Sequence, residues 1–204
     1  MRKFNFVLSA LLFVASSNVW AYGTGYSTYP MMEHKKLLSA EMTAITSSGG
    51  GVGVQGRYTD KITDRSVVDA GLGLGAGKRS ARAFVGYDYE LFPDYEKQPR
   101  VSLKTTLENA REFSSARNVV SLAPTVSKGF NFWGQEAYPY VSLPFGVSLQ
   151  GRNKTYETIF NAAVGATTKL PIDGYEHLLA SAEASIDLKD SFTAIFLGVT
   201  FPLN

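Results

Sequence analysis

Charged residues recur at alternate positions within short apolar segments of this 204-residue chain. Seven of them form the candidate site: Arg57, Asp69, Arg82, Asp88, Glu90, Lys104 and Glu183. Alternate positions share one face of a β-strand, so strand formation would point these side chains the same way. Because both signs are present, we expect the three bases to pair with the four acids, or the whole set to line a charge-selective pore.

Nucleophilic catalysis is the second chemistry to consider, and it needs a base beside a nucleophile. The chain has two histidines, His34 and His177, and no cysteine. On one strand, His177 and Ser181 would lie about 13 Å apart, which is beyond hydrogen-bonding distance. Two isolated histidines also provide no cluster of metal ligands. We therefore predict no catalytic residues, no metal site and no cofactor.

A glycine-rich run, Gly71 to Gly77, partly matches a dinucleotide-binding fingerprint. That fingerprint requires a preceding strand and a following helix, whereas this run is itself strand-like and another strand-like segment follows. A phosphate-binding loop is also excluded, because Arg79 stands after Lys78 where such a loop has Ser or Thr. We interpret these glycines as making room on the inner face of a strand or as letting the strand curl.

Apolar and polar residues alternate with period two along most of the chain, which is typical of strands with one apolar and one polar face. The pattern predicts ten strands, near 37–47, 51–60, 66–77, 79–91, 100–109, 118–130, 137–149, 156–169, 178–188 and 191–203. Most are longer than the five or six residues usual in soluble domains. We predict an all-β fold, a closed antiparallel up-and-down transmembrane β-barrel of about ten strands, with eight as the alternative.

The N-terminus predicts secretory export. Arg2 and Lys3 precede an apolar core from Phe4 to Ala15, and Val19 to Ala21 has the small-residue pattern of a cleavage site. We predict a signal peptide at 1–21, an irregular lead at 22–36 and the barrel at 37–204. Without Arg2 and Lys3 the mature chain carries 18 basic and 18 acidic residues, so we expect no nucleic-acid partner.

The last strand carries a more specific pattern, in which Gly198 is followed by the alternating apolar residues Val199, Phe201 and Leu203. This resembles the closing-strand signal of small bacterial outer-membrane β-barrel proteins, although Leu203 replaces the usual aromatic and Asn204 follows it. The resemblance implies recognition by the barrel assembly machinery and a place in the outer membrane of a Gram-negative bacterium, among outer-membrane lipids and lipopolysaccharide.

An even number of strands places both termini on the periplasmic side. Many aromatic residues fall near that edge and predict an interfacial girdle: Tyr58, Tyr87, Tyr89, Phe92, Tyr95, Phe130, Phe132, Trp133, Tyr138, Tyr175 and Phe201. Basic residues in the predicted outer loops could contact lipopolysaccharide phosphates: Lys78, Arg79, Arg111, Arg117, Arg152 and Lys154. The predicted outer loops are nevertheless shorter than the predicted periplasmic connections, whereas such barrels usually have short periplasmic turns and longer outer loops.

The predicted function is a structural or interaction barrel of the outer membrane, or a narrow, porin-like pore. Ten strands are close to the size at which side chains fill a barrel, which favours a closed lumen. Two alternatives remain open from the sequence. One is a soluble periplasmic β-barrel that binds an apolar ligand, and the other is a lipid-modifying outer-membrane enzyme. The oligomeric state is open.

Overall fold

The computed structural model describes residues 30–31, 35–47, 50–76, 79–112, 115–132, 134–150 and 155–203. The predicted signal peptide at 1–21 and most of the lead at 22–36 lie outside the described residues. The same holds for several single residues named above: His34, Gly77, Lys78, Trp133, Arg152, Lys154 and Asn204. No helix in the described part of the chain is long and apolar enough to cross a membrane.

The described chain is built from β-strands. They are β1 (Lys36–Ile45), β2 (Gly51–Thr63), β3 (Ser66–Gly75), β4 (Arg79–Phe92), β5 (Arg100–Glu112), β6 (Ser115–Ser127), β7 (Phe130–Phe132), β8 (Gln135–Ser142), β9 (Phe145–Gln150), β10 (Thr155–Lys169), β11 (Leu179–Lys189) and β12 (Ala194–Leu203). Alternation of apolar and polar residues continues through nearly all of them, as the sequence pattern predicts.

The sheet closes on itself. β1 pairs antiparallel with β2 and also with β12, where Lys36 lies opposite Leu203 and Ile45 opposite Ala194. β11 links β12 to β10, and β10 continues to β6 through β8 and β9. The result is a closed antiparallel barrel, which confirms the predicted fold.

β8 and β9 together form one strand of this barrel. Both pair with β6 and with β10, and the register is the same on either side of the break at Leu143 and Pro144. Counting them as one gives ten barrel strands and excludes eight. The alternation pattern predicts an uninterrupted strand at 137–149. It missed the break because Pro144 has an apolar neighbour on each side, although proline has no N–H to donate to a sheet.

β7 is a short addition that the period-two pattern did not reveal. Its three residues pair with the start of β8 and form a hairpin beyond the barrel wall. Gly134 takes a φ of 80° in the turn of this hairpin, a conformation that favours glycine. Phe130 and Phe132 are both exposed.

The two faces of the barrel have opposite chemistry. Outward apolar side chains are exposed, with Leu72 at 72% and Leu197 at 60% of full exposure. Inward polar side chains are buried, with Arg57 at 1% and Ser142 at 0%. A soluble protein places its apolar groups inside. The observed polarity is that of a transmembrane β-barrel, whose apolar face contacts lipid.

The connections differ in length between the two ends of the barrel. At the terminal end, where β1 begins and β12 finishes, they comprise 64–65, 93–99, 128–134 and 170–178. At the far end they comprise 46–50, 76–78, 113–114, 151–154 and 190–193. The longer connections therefore share an end with both termini of the barrel.

A charge placed on the outward face should be costly in the middle of the barrel and cheap near its ends. We expect Leu72→Arg to lower the free energy of unfolding by about 2 to 4 kcal/mol, because its charge would lie near the bilayer midplane. Leu188→Arg, at the far end of β11, should cost about 1 kcal/mol or less. Denaturant titration in lipid vesicles measures both, and equal costs would contradict the membrane-facing assignment.

Candidate functional site: the ion-paired lumen

The inner face of β1 to β5 carries the long polar side chains of the lumen. Each strand contributes one or two at similar height, and the set comprises Glu41, Gln55, Arg57, Asp69, Arg82, Lys104 and Glu108. The wall formed by β6 and β8 to β10 carries mainly small buried residues instead, including Ala123, Thr125, Ser142, Ser148 and Ala163. Small residues on one wall leave room for long side chains from the other.

Asp69 is at the centre of the ion pairs. Its Oδ2 lies 3.5 Å from Arg57 Nη1 and also accepts a hydrogen bond from Lys104 Nζ. Arg57 Nη2 donates to Glu41 Oε2 at 2.9 Å. These four side chains are all buried, so each charge is neutralised by close partners rather than by water.

Gln55 joins this cluster to a second ion pair. Its Nε2 donates to Glu41, and its Oε1 accepts from Arg82 Nη1 at 2.9 Å. Arg82 Nη2 then donates to Glu108 Oε2 at 2.7 Å. The connected network therefore spans the five adjacent strands β1 to β5. Three of its members, Glu41, Gln55 and Glu108, were not among the predicted site residues.

Phe84 fills the space between the two arginines. Its ring is buried, and the guanidinium carbons of Arg82 and Arg57 lie 4.4 and 5.5 Å from its centroid. A cation within about 6 Å of an aromatic face is attracted by the ring. Gly71 makes this packing possible, because a Cβ there would collide with the Phe84 ring and lie 2.7 Å from the Gly56 carbonyl oxygen. The proposed space-making role of the glycine-rich run therefore holds at Gly71.

Asp88 and Glu90 do not join the central network. Arg100 Nη2 lies 3.0 Å from Asp88 Oδ2, and Arg100 Nε donates to Glu90 Oε2 at 2.7 Å. The expectation that these acids pair with the three named bases was wrong. Lys104 is opposite Asp88 in the sheet. Its side chain instead passes over Gly86, which has no side chain, and reaches Asp69.

Glu183 enters the lumen from β11 and contacts Tyr140 on β8. The Tyr140 hydroxyl donates to Glu183 Oε2, and both side chains are buried. Tyr140 was not among the predicted site residues. Its inward direction could have been found from its position, two residues before the inward Ser142.

Bulky side chains also occupy the two ends of the lumen. At the far end, Arg117 Nη2 donates to the Asp190 carbonyl at 3.1 Å, near a buried cluster of Ile45 and Ala194. At the terminal end Leu37, Leu178 and Leu179 are buried. The prediction that Arg111 and Arg117 stand in outer loops was wrong. Arg111 lies within β5, and Arg117 lies on the inner face of β6.

The remaining titratable candidates lie outside the network. His177 is exposed in the 170–178 connection and stacks on Tyr175, with ring centroids 6.5 Å apart. In the same connection, backbone N–H groups of Glu176 and Gly174 lower the pKa of the Glu176 carboxyl. Among the described residues no three acidic or histidine side chains are grouped to hold a metal ion.

The closing-strand residues occupy the seam of the barrel. Val199, Phe201 and Leu203 lie on the outward side of β12, and Gly198 faces inward. A Cβ at Gly198 would lie 2.6 Å from Ser181 Oγ. The structure therefore brings these four residues into the strand that joins the two ends of the sheet, while their recognition by an assembly machinery stays a prediction.

No protein-family model matches the chain, and no curated protein sequence matches it significantly. Among solved structures, a de novo designed transmembrane β-barrel is similar with 12% identity and a TM-score of 0.41, over 85% of this chain and 99% of that chain. Ail, the attachment invasion locus protein of Yersinia pestis, solved with the heparin analogue sucrose octasulfate, is similar with 10% identity and a TM-score of 0.31, over 84% of this chain and 100% of Ail.

Removing one base from the network should destabilise the barrel. Arg82→Ala removes the buried guanidinium that binds Glu108 and Gln55, and we expect a loss of about 3 to 5 kcal/mol, as for other broken buried pairs. Arg111→Ala, an exposed arginine on the same wall, should change stability by no more than about 0.5 kcal/mol. Denaturant titration in detergent measures the losses, and a small effect of Arg82→Ala would show that water screens the pair.

The space beside Asp69 should tolerate no added methyl group. A Cβ at Gly86 would overlap the Asp69 carboxylate and lie 2.8 Å from Lys104 Cε, whereas a Cβ at the outward Gly56 meets nothing within 4 Å. We expect Gly86→Ala to cost about 1 to 3 kcal/mol by overpacking. Gly56→Ala should be neutral or slightly stabilising. Samples of each variant are heated to a series of temperatures, and the folded and unfolded bands on a gel give its melting temperature. Equal melting temperatures for the two variants would contradict the packed centre.

Proposed function

We propose that the chain is an integral outer-membrane β-barrel of a Gram-negative bacterium, with a closed lumen and a structural or interaction role. The single observation that carries this proposal is the polarity of the barrel, apolar outside and ion-paired inside. Export through the signal peptide, with cleavage after Ala21, would deliver the chain to the envelope.

Aromatic side chains support a membrane interface at the terminal end. The exposed members of the predicted girdle at this end are Tyr58, Tyr87, Tyr89, Phe92, Tyr95, Phe130, Phe132, Tyr175 and Phe201. Aromatic rings of this kind favour the headgroup region of a bilayer. With ten strands the terminal end would face the periplasm, so the longer connections would lie on the periplasmic side.

A closed lumen is favoured over a pore because the inward charged side chains form ion pairs with one another. Buried ion pairs whose members contact each other leave few free charges to bind and pass an ion. Phe84 between two arginines, and Arg117 at the far end, occupy space that a conducting path would need.

The two alternative functions have less support. A soluble barrel that binds an apolar ligand needs an apolar interior, whereas Arg57 and Asp69 are at the centre of this one. A lipid-modifying enzyme needs a base beside a nucleophile. His177 is exposed in a connection against Tyr175, and His34 lies outside the described residues.

Location is the first test of this proposal. The mature protein should begin at Tyr22, fractionate with outer membranes and resist carbonate extraction, because its apolar face would be held by lipid. N-terminal sequencing and membrane fractionation measure this. Recovery of the folded protein from the soluble periplasmic fraction would contradict the proposal.

Conductance separates the closed barrel from the pore. We expect the wild-type protein to show little or no conductance in planar bilayers, because side chains fill a barrel of this size. The double variant Arg57→Ser/Phe84→Gly should increase conductance by emptying the centre. The control variant Val85→Ala, which changes the outward neighbour of Phe84, should leave the conductance unchanged. Large, steady wild-type channels would refute the closed lumen.

A further inference from the structure

A cavity of about 370 Å³ opens at the terminal end, where the β7–β8 hairpin extends beyond the barrel wall. One side is formed by this hairpin and the end of β6, and the other by the 93–99 connection and the start of β5. This hairpin pocket is lined by Pro30, Asp94, Arg100, Ser127, Gly129, Phe130, Asn131, Glu136 and Tyr138. Its volume is near the lower end of the range for ligand pockets, about 300 to 1,000 Å³, so it suits a small ligand.

Asp94 holds the two sides of the hairpin pocket together. Its Oδ2 accepts a hydrogen bond from the Gly129 backbone N–H at 2.7 Å, and its Oδ1 accepts one from Lys128 Nζ. A side chain at position 129 would disturb this arrangement, because a Cβ there would lie 2.9 Å from Tyr138 Cε1 and 3.2 Å from Asp94 Oδ2. These contacts place the Tyr138 ring and the 93–99 connection before any ligand arrives, as is usual for binding sites.

Hydrogen-bond donors of the hairpin pocket remain available to a ligand. A guanidinium has five N–H groups, and Arg100 uses three of them for its lumen partners, which leaves two. Asn131 Oδ1 accepts from the Gly134 N–H at 3.1 Å. In the part of the chain that the structure describes, the Asn131 amide nitrogen donates to no acceptor. The pocket can therefore donate hydrogen bonds from two sides.

The charges of the hairpin pocket disfavour an anion. Among its described lining residues, the carboxylates of Asp94 and Glu136 outnumber the guanidinium of Arg100. Lys128 and Lys169 are already bound to these two carboxylates, so a phosphate or sulfate would have to break ion pairs. Carboxylates only accept hydrogen bonds and the N–H groups only donate them, whereas a hydroxyl group does both. The pocket therefore matches a neutral ligand with several hydroxyl groups.

Tyr138 adds an apolar surface to these polar groups. It is partly buried and lies two residues before the inward Tyr140 on β8, so it points to the same side. Its aromatic ring offers a flat apolar face beside a polar hydroxyl. A sugar ring has the matching two-sided character, because its hydroxyl groups lie around the edge and its C–H groups form an apolar face. A sugar ring therefore fits the pocket better than an open-chain polyol.

We propose that the hairpin pocket binds one neutral sugar ring, with the apolar face of the sugar on Tyr138. The hydroxyl groups of the sugar bond to the polar lining residues Asp94, Arg100, Asn131 and Glu136. This inference rests on the proposed function for its location, since the terminal end would face the periplasm. The sugar is then either a free periplasmic solute or the end of a glycan chain on that side, and it gives the interaction role a partner of defined chemistry.

Ligand-observed NMR tests this with the chain 22–204 folded in a detergent that has no sugar headgroup. The probes are glucose, N-acetylglucosamine and the linear tetramer of N-acetylglucosamine, with inorganic phosphate as the charged competitor. We expect saturable binding of a sugar with a Kd of about millimolar, as for other ligands of this size, and no competition from phosphate. Tighter binding of the tetramer than of the single sugars would identify a glycan chain as the source, and equal binding would identify a free sugar.

Two variants and a matched control locate the binding site. Tyr138→Leu keeps an apolar side chain but removes the flat ring, and should weaken binding about tenfold. Glu136→Gln removes a charged acceptor, and should weaken binding about fivefold. Its exposed ion pair with Lys169 contributes little to stability. Tyr95→Leu makes the first change at an exposed tyrosine of the same barrel end that does not line the pocket, and should leave the Kd unchanged.

Three outcomes would overturn the proposal, provided that gel mobility before and after heating shows each protein to be folded. They are no saturable binding of any sugar, equal binding by Tyr138→Leu and the wild type, or an equal loss in Tyr95→Leu. Displacement of the sugar by phosphate would also contradict it, by showing an anion site. Failure here leaves the membrane assignment standing, because folding in detergent bypasses export. Failure of the fractionation test would contradict the membrane assignment without changing these affinities.

Discussion

Closure of the sheet between β1 and β12 is the constraint on which the rest of this structure depends. With closure, every barrel strand has two neighbours and no edge of unpaired N–H and C=O groups faces lipid. Closure at ten strands also creates a narrow interior from which bulk water is largely excluded. Charges that point inward must then neutralise one another, and the outward face is free to be apolar throughout.

The lumen shows how this requirement is met at the level of single residues. Asp69 lies between Arg57 and Lys104, so one carboxylate balances parts of two cations. The pairing depends on glycines that add no volume, because Gly71 leaves room for Phe84 and Gly86 leaves room for Lys104 to reach Asp69. Ion pairs, aromatic ring and glycines act together, and a change in any one of them disturbs the others.

The fold was largely predictable from the sequence, because period two is a local property of each strand. Inward directions of Arg57, Asp69 and Arg82 followed from the same alternation. Which acid pairs with which base was not predictable, since this depends on the register between strands and on the space that glycines leave in neighbouring strands. Arg100 is at the start of a strand, where the alternation gives no partner, and Gly86 diverts Lys104 from the opposite Asp88. The β7–β8 hairpin was missed because β7 has only three residues, too few for the alternation to show, and the break at Pro144 was missed because it does not interrupt the apolar pattern.

Spin-label accessibility at four consecutive or alternate positions of β4, namely Ala83, Phe84, Val85 and Tyr87, is the most direct test of an inside-out barrel with a filled lumen. Our account predicts that Ala83, Val85 and Tyr87, on the outward face, are accessible to oxygen, which concentrates in lipid. A label that replaces the buried Phe84 ring should be poorly accessible both to oxygen and to a water-soluble nickel complex. Access of the nickel complex to the outward positions would contradict a membrane barrel, and its access to the inward position would contradict a closed lumen.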